Sequence, residues 1–205
     1  MIDTIIFDFG DVFINLDKTG ARQNALDQFQ IESFEEDMLE INLKYEKGLI
    51  TTEEFSSFYT KKFPFLSHDD LLNAWNYIIK DFPMYRVEFL KDLAQLKQYD
   101  LILLSNTNQI HIEYIQKNYA FYELFKSQFH LYYLSHEIHM RKPDRSIFEF
   151  VIDENMLDVS KCLFIDDTIE NTETASSLGL HCWNINPKNE DVTQLFKKCK
   201  TLFEE

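Results

Sequence analysis

Ile5-Ile6-Phe7-Asp8-Phe9-Gly10-Asp11-Val12-Phe13 is the stretch whose reading decides the fold. Ile2, Ile5, Ile6 and Phe7 form an apolar run with β-branched members, the pattern of a strand covered on both faces, and the run stops abruptly at Asp8-Phe9-Gly10-Asp11. A carboxylate there sits at the carboxyl edge of the strand. In open parallel α/β sheets ligands bind along that edge, which places Asp8 for chemistry. Asp and Gly also begin ordinary turns, so this stretch alone leaves both readings open.

Downstream of residue 85 the chain alternates helix and strand. A helix over 85–98 leads to Leu101-Ile102-Leu103-Leu104, which ends at Ser105-Asn106-Thr107. A helix over 109–119 precedes a strand at Leu131-Tyr132-Tyr133-Leu134, and Arg141-Lys142-Pro143-Asp144 precedes a helix carrying Ile147, Phe148, Val151 and Ile152. Cys162-Leu163-Phe164-Ile165 ends at Asp166-Asp167-Thr168; the next helix carries Ile169, Ala175 and Leu178, stops at Gly179, and leads to a last strand over 181–185. Strands alternating with helices pair in parallel through right-handed crossovers. The expected core is a three-layer α/β sandwich, Rossmann-like, built from 1–15 and 86–205.

Residues 16–85 interrupt that pattern. They contain no convincing strand and show repeated helix signals: Leu26 and Phe29, then Met38, Leu39, Leu43 and Tyr45. Thr51 with Glu54, and Ser67 with Asp70, fit capping boxes ahead of apolar runs that include Phe55, Phe58, Tyr59, Leu71 and Trp75. Pro64 separates two helices and Pro83 marks re-entry into the core. An all-helical stretch of this length exceeds ordinary loops, so it is expected to form a small inserted subdomain with the aromatics as its core.

The composition sets limits. The 205 residues, 45% hydrophobic and 15% aromatic, are enough to bury a sizeable core. A formal charge of −15 disfavours nucleic acid and anionic membranes as partners, because the summed field repels polyanions. An anionic substrate must then be captured by a local cationic device. Cys162, Cys182 and Cys199 lack metal-type spacing and read as reduced thiols. With no basic leader and no long apolar run, the expected compartment is the cytoplasm. His111, His136 and His139 show no ligand spacing and read as ordinary imidazoles. Glu35-Glu36-Asp37 reads as a solvated face.

Three strands end in groups that can act together: Asp8, Ser105-Asn106 and Asp166-Asp167. Clustered carboxylates stay ionised only with a cation among them, and oxygen donors of this kind favour Mg²⁺. A hydroxyl, an amide and a lysine are then suitable donors for a phosphoryl group.

These residues carry a resemblance. Ile6-Phe7-Asp8-Phe9-Gly10-Asp11-Val12, Leu104-Ser105-Asn106, Lys142-Pro143, and Phe164-Ile165-Asp166-Asp167 with Asn171 resemble the four ordered motifs of the haloacid dehalogenase (HAD) superfamily. The helical insertion is similar to that family's C1 cap. The resemblance implies a phosphatase in which Asp8 is the nucleophile and one ligand of Mg²⁺. The Gly10 carbonyl, Asp166 and Asp167 complete the metal site, Ser105 and Asn106 hold the phosphoryl oxygens, and Lys142 neutralises them. Phosphoryl transfer needs mainly such positioning and charge.

Gly10 departs from the pattern, since family phosphatases usually place an acid/base Asp at that position. General acid–base help contributes about 10²–10⁴-fold. Asp11, one residue on, is either that group or a staple of the turn. A branch resembling sugar-1-phosphate phosphatases also has Gly here, and it suggests a small phosphorylated metabolite as substrate. Two alternatives stay open: a non-catalytic phosphometabolite-binding protein, and a halide-releasing hydrolase, for which Asp166-Asp167 has no evident use.

Overall fold

The computed structural model describes residues 1–204. The chain begins with β1 (Thr4–Phe7) and a tight turn into β2 (Asn15–Leu16), followed by four helices, α1 (Lys18–Phe29), α2 (Glu36–Glu46), α3 (Thr52–Lys62) and α4 (His68–Asn76). It returns through β3 (Ile79–Asp81) and α5 (Met84–Gln95) to β4 (Asp100–Ser105), then α6 (Gln109–Asn118), α7 (Tyr122–Lys126) and β5 (Leu131–Leu134). The remainder holds α8 (Ser135–Ile138), α9 (Arg145–Glu154), β6 (Cys162–Asp166), α10 (Ile169–Ser177) and β7 (His181–Asn184), with two short helices near the C-terminus.

Five strands form one parallel sheet in the order β5-β4-β1-β6-β7. β1 is central, with Phe7 opposite Leu103 on one side and Ile165 on the other. Because side chains alternate along a strand, Ile5, Phe7, Leu101, Leu103, Leu163 and Ile165 join one core cluster, while Ile6, Ile102, Leu104 and Phe164 join the other. Burial on both faces explains why these strands read as continuous apolar runs. The expected three-layer α/β sandwich is present.

The four helices α1–α4 build a third cluster around Phe29, Phe55, Tyr59 and Phe63. Tyr45 stacks on Phe55 at 4.2 Å, and Trp75 meets the same ring edge-on at 4.7 Å. Both capping boxes form: Thr51 Oγ1 accepts from Glu54 N, and Ser67 Oγ accepts from Asp70 N. Within α2, Met38 and Tyr45 are buried while Leu39 and Leu43 face outward, so only a narrow stripe of the helix is covered. Glu35 and Asp37 lie on the surface as expected, and both pair with Lys62.

The absence of strands in 16–85 is corrected. β2 and β3 pair antiparallel where the two linkers cross, with Asn15 opposite Asp81 and Leu16 opposite Ile79. Two and three residues are too few to carry a periodicity, so only the pairing across the fold creates them. The helical insertion meets the core along a second seam. There Ser135 Oγ donates to Glu46 O, Arg141 pairs with Glu46 at 2.6 Å, and Lys47 pairs with Asp144 at 2.8 Å. Gly48 allows this contact: its φ is +62°, and a Cβ there would lie 1.9 Å from His136 O.

The three cysteines are free thiols. Among the described residues, no helix is long and apolar enough to cross a membrane.

Candidate active site

The carboxyl edge of the sheet gathers the acids. Asp8 follows β1, its N–H donating to Ile165 O at 2.9 Å; Asp166 ends β6 and Asp167 follows it. Ligand oxygens of Asp8, Asp166 and Asp167 all lie within 4.8 Å of one another, the one such cluster of metal-ligating side chains among the described residues. Every donor is a hard carboxylate oxygen, and no histidine or cysteine belongs to the set. That chemistry fits Mg²⁺.

Lys142 enters from the loop before α9. Its Nζ is 2.9 Å from Asp8 Oδ1 and 2.7 Å from Asp166 Oδ2, and its side chain is 0% exposed. Such a buried cation is held only by excellent geometry, and the loop supplies it. Asn106 Nδ2 donates to Lys142 O at 2.8 Å, and Lys142 N donates to Asn106 Oδ1 at 2.9 Å. Asp166 is further satisfied by Thr168 N at 2.8 Å and by Asn171 Nδ2, 3.0 Å from both carboxylate oxygens. Asp8 Oδ1 also accepts from Phe9 N at 2.7 Å. Among the described residues no hydrogen bond reaches its Oδ2.

Burial pushes the Asp8 carboxyl up to about 7, helped by the Asp166 charge and opposed by Lys142. Burial also raises Asp167. On Lys142 burial acts downward, yet the two carboxylates outweigh it and hold the ammonium above its ordinary range. A divalent ion is the natural remedy for this excess of negative charge.

Asp11 is held in the turn after Asp8. Its φ is +55°, its Oδ1 accepts from Leu16 N at 2.9 Å, and its Oδ2 lies 3.0 Å from Lys18 Nζ. Both oxygens therefore serve the turn and its neighbour. Gly10 sits under Leu16, whose Cδ1 would be 2.7 Å from a Cβ added at that position. A side chain there would have to displace the Leu16 methyl.

Ser105 ends β4, buried, and lines a cavity of about 220 Å³ together with Gly10, Lys18, Glu46, Asn108 and His111. His111 is tied to its neighbours at both ring nitrogens. Burial lowers it to about 4, so the neutral ring accepts from Asn108 at Nδ1 and donates from Nε2 to Trp75 O. His139 Nδ1 lies 3.0 Å from Lys47 O at the seam.

Two features escaped the sequence reading. Lys18 Nζ lies 2.6 Å from Asp167 Oδ2, a contact across 149 residues of chain that no local pattern signals. The reciprocal clamp of Asn106 on the Lys142 main chain was hidden too, although an Asn just past a strand end invites a search for a backbone partner.

A family model, haloacid dehalogenase-like hydrolase, matches residues 2–179. The chain belongs to this family. The HAD-like hydrolase is 26% identical over 212 aligned positions to D-ribitol-5-phosphate phosphatase of Bacteroides thetaiotaomicron, spanning 92% of this chain and 93% of that protein. A HAD family enzyme of the same organism, solved in complex with magnesium and inorganic phosphate, superimposes with a TM-score of 0.83 at 33% identity, over 96% of this chain and all of that one (100%). The 2-haloacid dehalogenase of Pseudomonas syringae shares the fold, at a TM-score of 0.61 and 14% identity over 98% of this chain and 99% of that one.

Proposed function

We propose that this hydrolase is a Mg²⁺-dependent phosphatase of small sugar or polyol phosphates, working through an aspartyl-phosphate on Asp8. The carrying observation is the convergence of Asp8, Asp166 and Asp167 within 4.8 Å, with the Lys142 ammonium between two of them. Similarity to a sugar-alcohol phosphatase and to an enzyme crystallised with magnesium and phosphate supports the reading. Residues 16–85 act as a cap over the site, with 1–15 and 86–205 as the catalytic core.

Asp8, the Gly10 carbonyl, Asp166 and Asp167 would hold Mg²⁺. When bound, the ion supplies positive charge to the phosphoryl oxygens and lets the crowded carboxylates stay ionised. Lys142 takes up charge on the same group, and the Ser105 hydroxyl and the main chain at Ser105-Asn106 hold its remaining oxygens. An Asp8 oxygen attacks phosphorus, the P–O bond to the alcohol breaks, and its electron pair leaves on the alkoxide, which takes a proton. Water then opens the aspartyl-phosphate, returning inorganic phosphate and the carboxylate. Asp11 staples the turn, so leaving-group protonation is weakly assisted. Substrates with acidic leaving groups, such as anomeric phosphates, gain most from this arrangement.

The test is phosphate release from p-nitrophenyl phosphate, sugar 1-phosphates and terminal polyol phosphates, with Mg²⁺ and with a chelator. Mg²⁺-dependent turnover is expected, reduced by about 10⁴-fold or more in Asp8→Asn. Equal rates in parent and variant would remove Asp8 from the mechanism. Binding of a metallofluoride without turnover would favour a non-catalytic binding protein, the reading that Gly10 invites.

A further inference from the structure

We propose that Lys18 is a displaceable tether: it pairs with Asp167 and gives that carboxylate up when the cluster is loaded, removing one of the contacts that hold the first turn of α1 to the core. The inference rests on the metal-site reading above.

Four observations support it. Asp8 and Asp166 share Lys142, whereas among the described residues the one cation paired with Asp167 is Lys18, at 2.6 Å. Lys18 is the first residue of α1, separated from β2 only by Asp17, so its ammonium ties the core to the first helix of the insertion. The helix start is itself fixed, because Asp17 Oδ1 accepts from Gly20 N at 2.7 Å and Asp17 pairs with Lys80 of β3. The lysine side chain is 51% exposed while the carboxylates it bridges, Asp11 and Asp167, are each 11% exposed. The ammonium can swing into water at little cost, but the acids cannot follow it.

A cation beside a metal site opposes metal binding through repulsion and through competition for the shared carboxylate. Loading the cluster therefore weakens the hold of Asp167 on Lys18 and leaves Asp11 as its remaining partner. The Lys18–Asp11 and Asp17–Lys80 pairs, the turn from Asp11 to Asp17 and the strand β3 then remain between the insertion and the core on this side. Metal occupancy becomes coupled to the looseness of the hinge.

The test measures Mn²⁺ affinity by electron paramagnetic resonance and amide hydrogen exchange over residues 11–20, in the parent chain, Lys18→Met, Lys18→Arg and Asp167→Asn. Lys18→Met should bind Mn²⁺ about fivefold more tightly. In the parent, added metal should speed exchange over 11–20; Lys18→Met should exchange fast from the start and respond little, and Lys18→Arg should follow the parent. Unchanged or weaker Mn²⁺ binding by Lys18→Met, or slower exchange in the loaded parent, overturns the tether while leaving the metal site intact. A parent that binds no Mn²⁺, or an Asp167→Asn that binds it as well as the parent, overturns the metal-site reading and the tether with it.

Discussion

Two lysines each bridge two carboxylates at the same sheet edge, and they differ in almost everything else. Lys142 joins Asp8 to Asp166 with its side chain fully enclosed; Lys18 joins Asp11 to Asp167 with half of its side chain in water. The inner trio is braced by Asn106, Thr168 and Asn171. The outer trio is carried on the turn and helix start that connect core and insertion. Identical functional groups thus give a permanent cation in one place and an exchangeable one in the other. The deciding variable is solvent, because removing one partner of a buried pair strands a charge, whereas an exposed pair dissolves into hydration.

The largest effect should come from the inner trio. Lys142→Met leaves two buried carboxylates facing each other, and the expected loss is about 3–5 kcal/mol of folding stability in urea titration, together with activity. A loss no greater than that of Lys18→Met would erase the contrast.

The next effect is in pH. Asp8 titrates near 3.8 when unfolded and near 7 when folded, chiefly through burial. A carboxyl raised on folding contributes stability that is fully present below its unfolded value and lost as pH rises through the folded one. Metal-free protein should therefore lose stability between about pH 4 and 7, by at most about 1.4 kcal/mol per unit. Asp8→Asn should flatten that profile, and a parent that gains stability across the window would contradict the burial argument.

Asp11→Asn keeps an oxygen for Leu16 N. Activity should fall by less than about tenfold, below the range of general acid–base help. A much larger fall with Mn²⁺ binding unchanged would make Asp11 the missing acid. The smallest change is expected in the stability of Lys18→Met, below that of Lys142→Met, because the lysine end of this pair is half in water and hydration can reach the acids it leaves.

Much of this was legible in the chain. Continuous apolar runs ending in Asp8, Ser105 and Asp166 announced parallel strands with polar groups on one edge, and Thr51 with Glu54 announced a helix start, because both signals are local. Leu39 and Leu43 marked a helix, which formed, but two leucines do not say how wide its covered face is. β2 and β3 were invisible, because their order comes from a partner more than sixty residues away in the sequence, as the Asn15–Asp81 pairing shows.

By itself the sequence determined the sheet, the helical insertion and the acids at the strand ends, because periodicity and strand ends are properties of short segments; Lys142 was named only through the resemblance to the family's motifs. Only the tertiary structure decided which charges share a partner, which of two lysines is sealed from water, and that Asp11 is tied to its own turn. Those outcomes depend on distances and burial set by residues far apart in the chain, and no local pattern encodes the local dielectric.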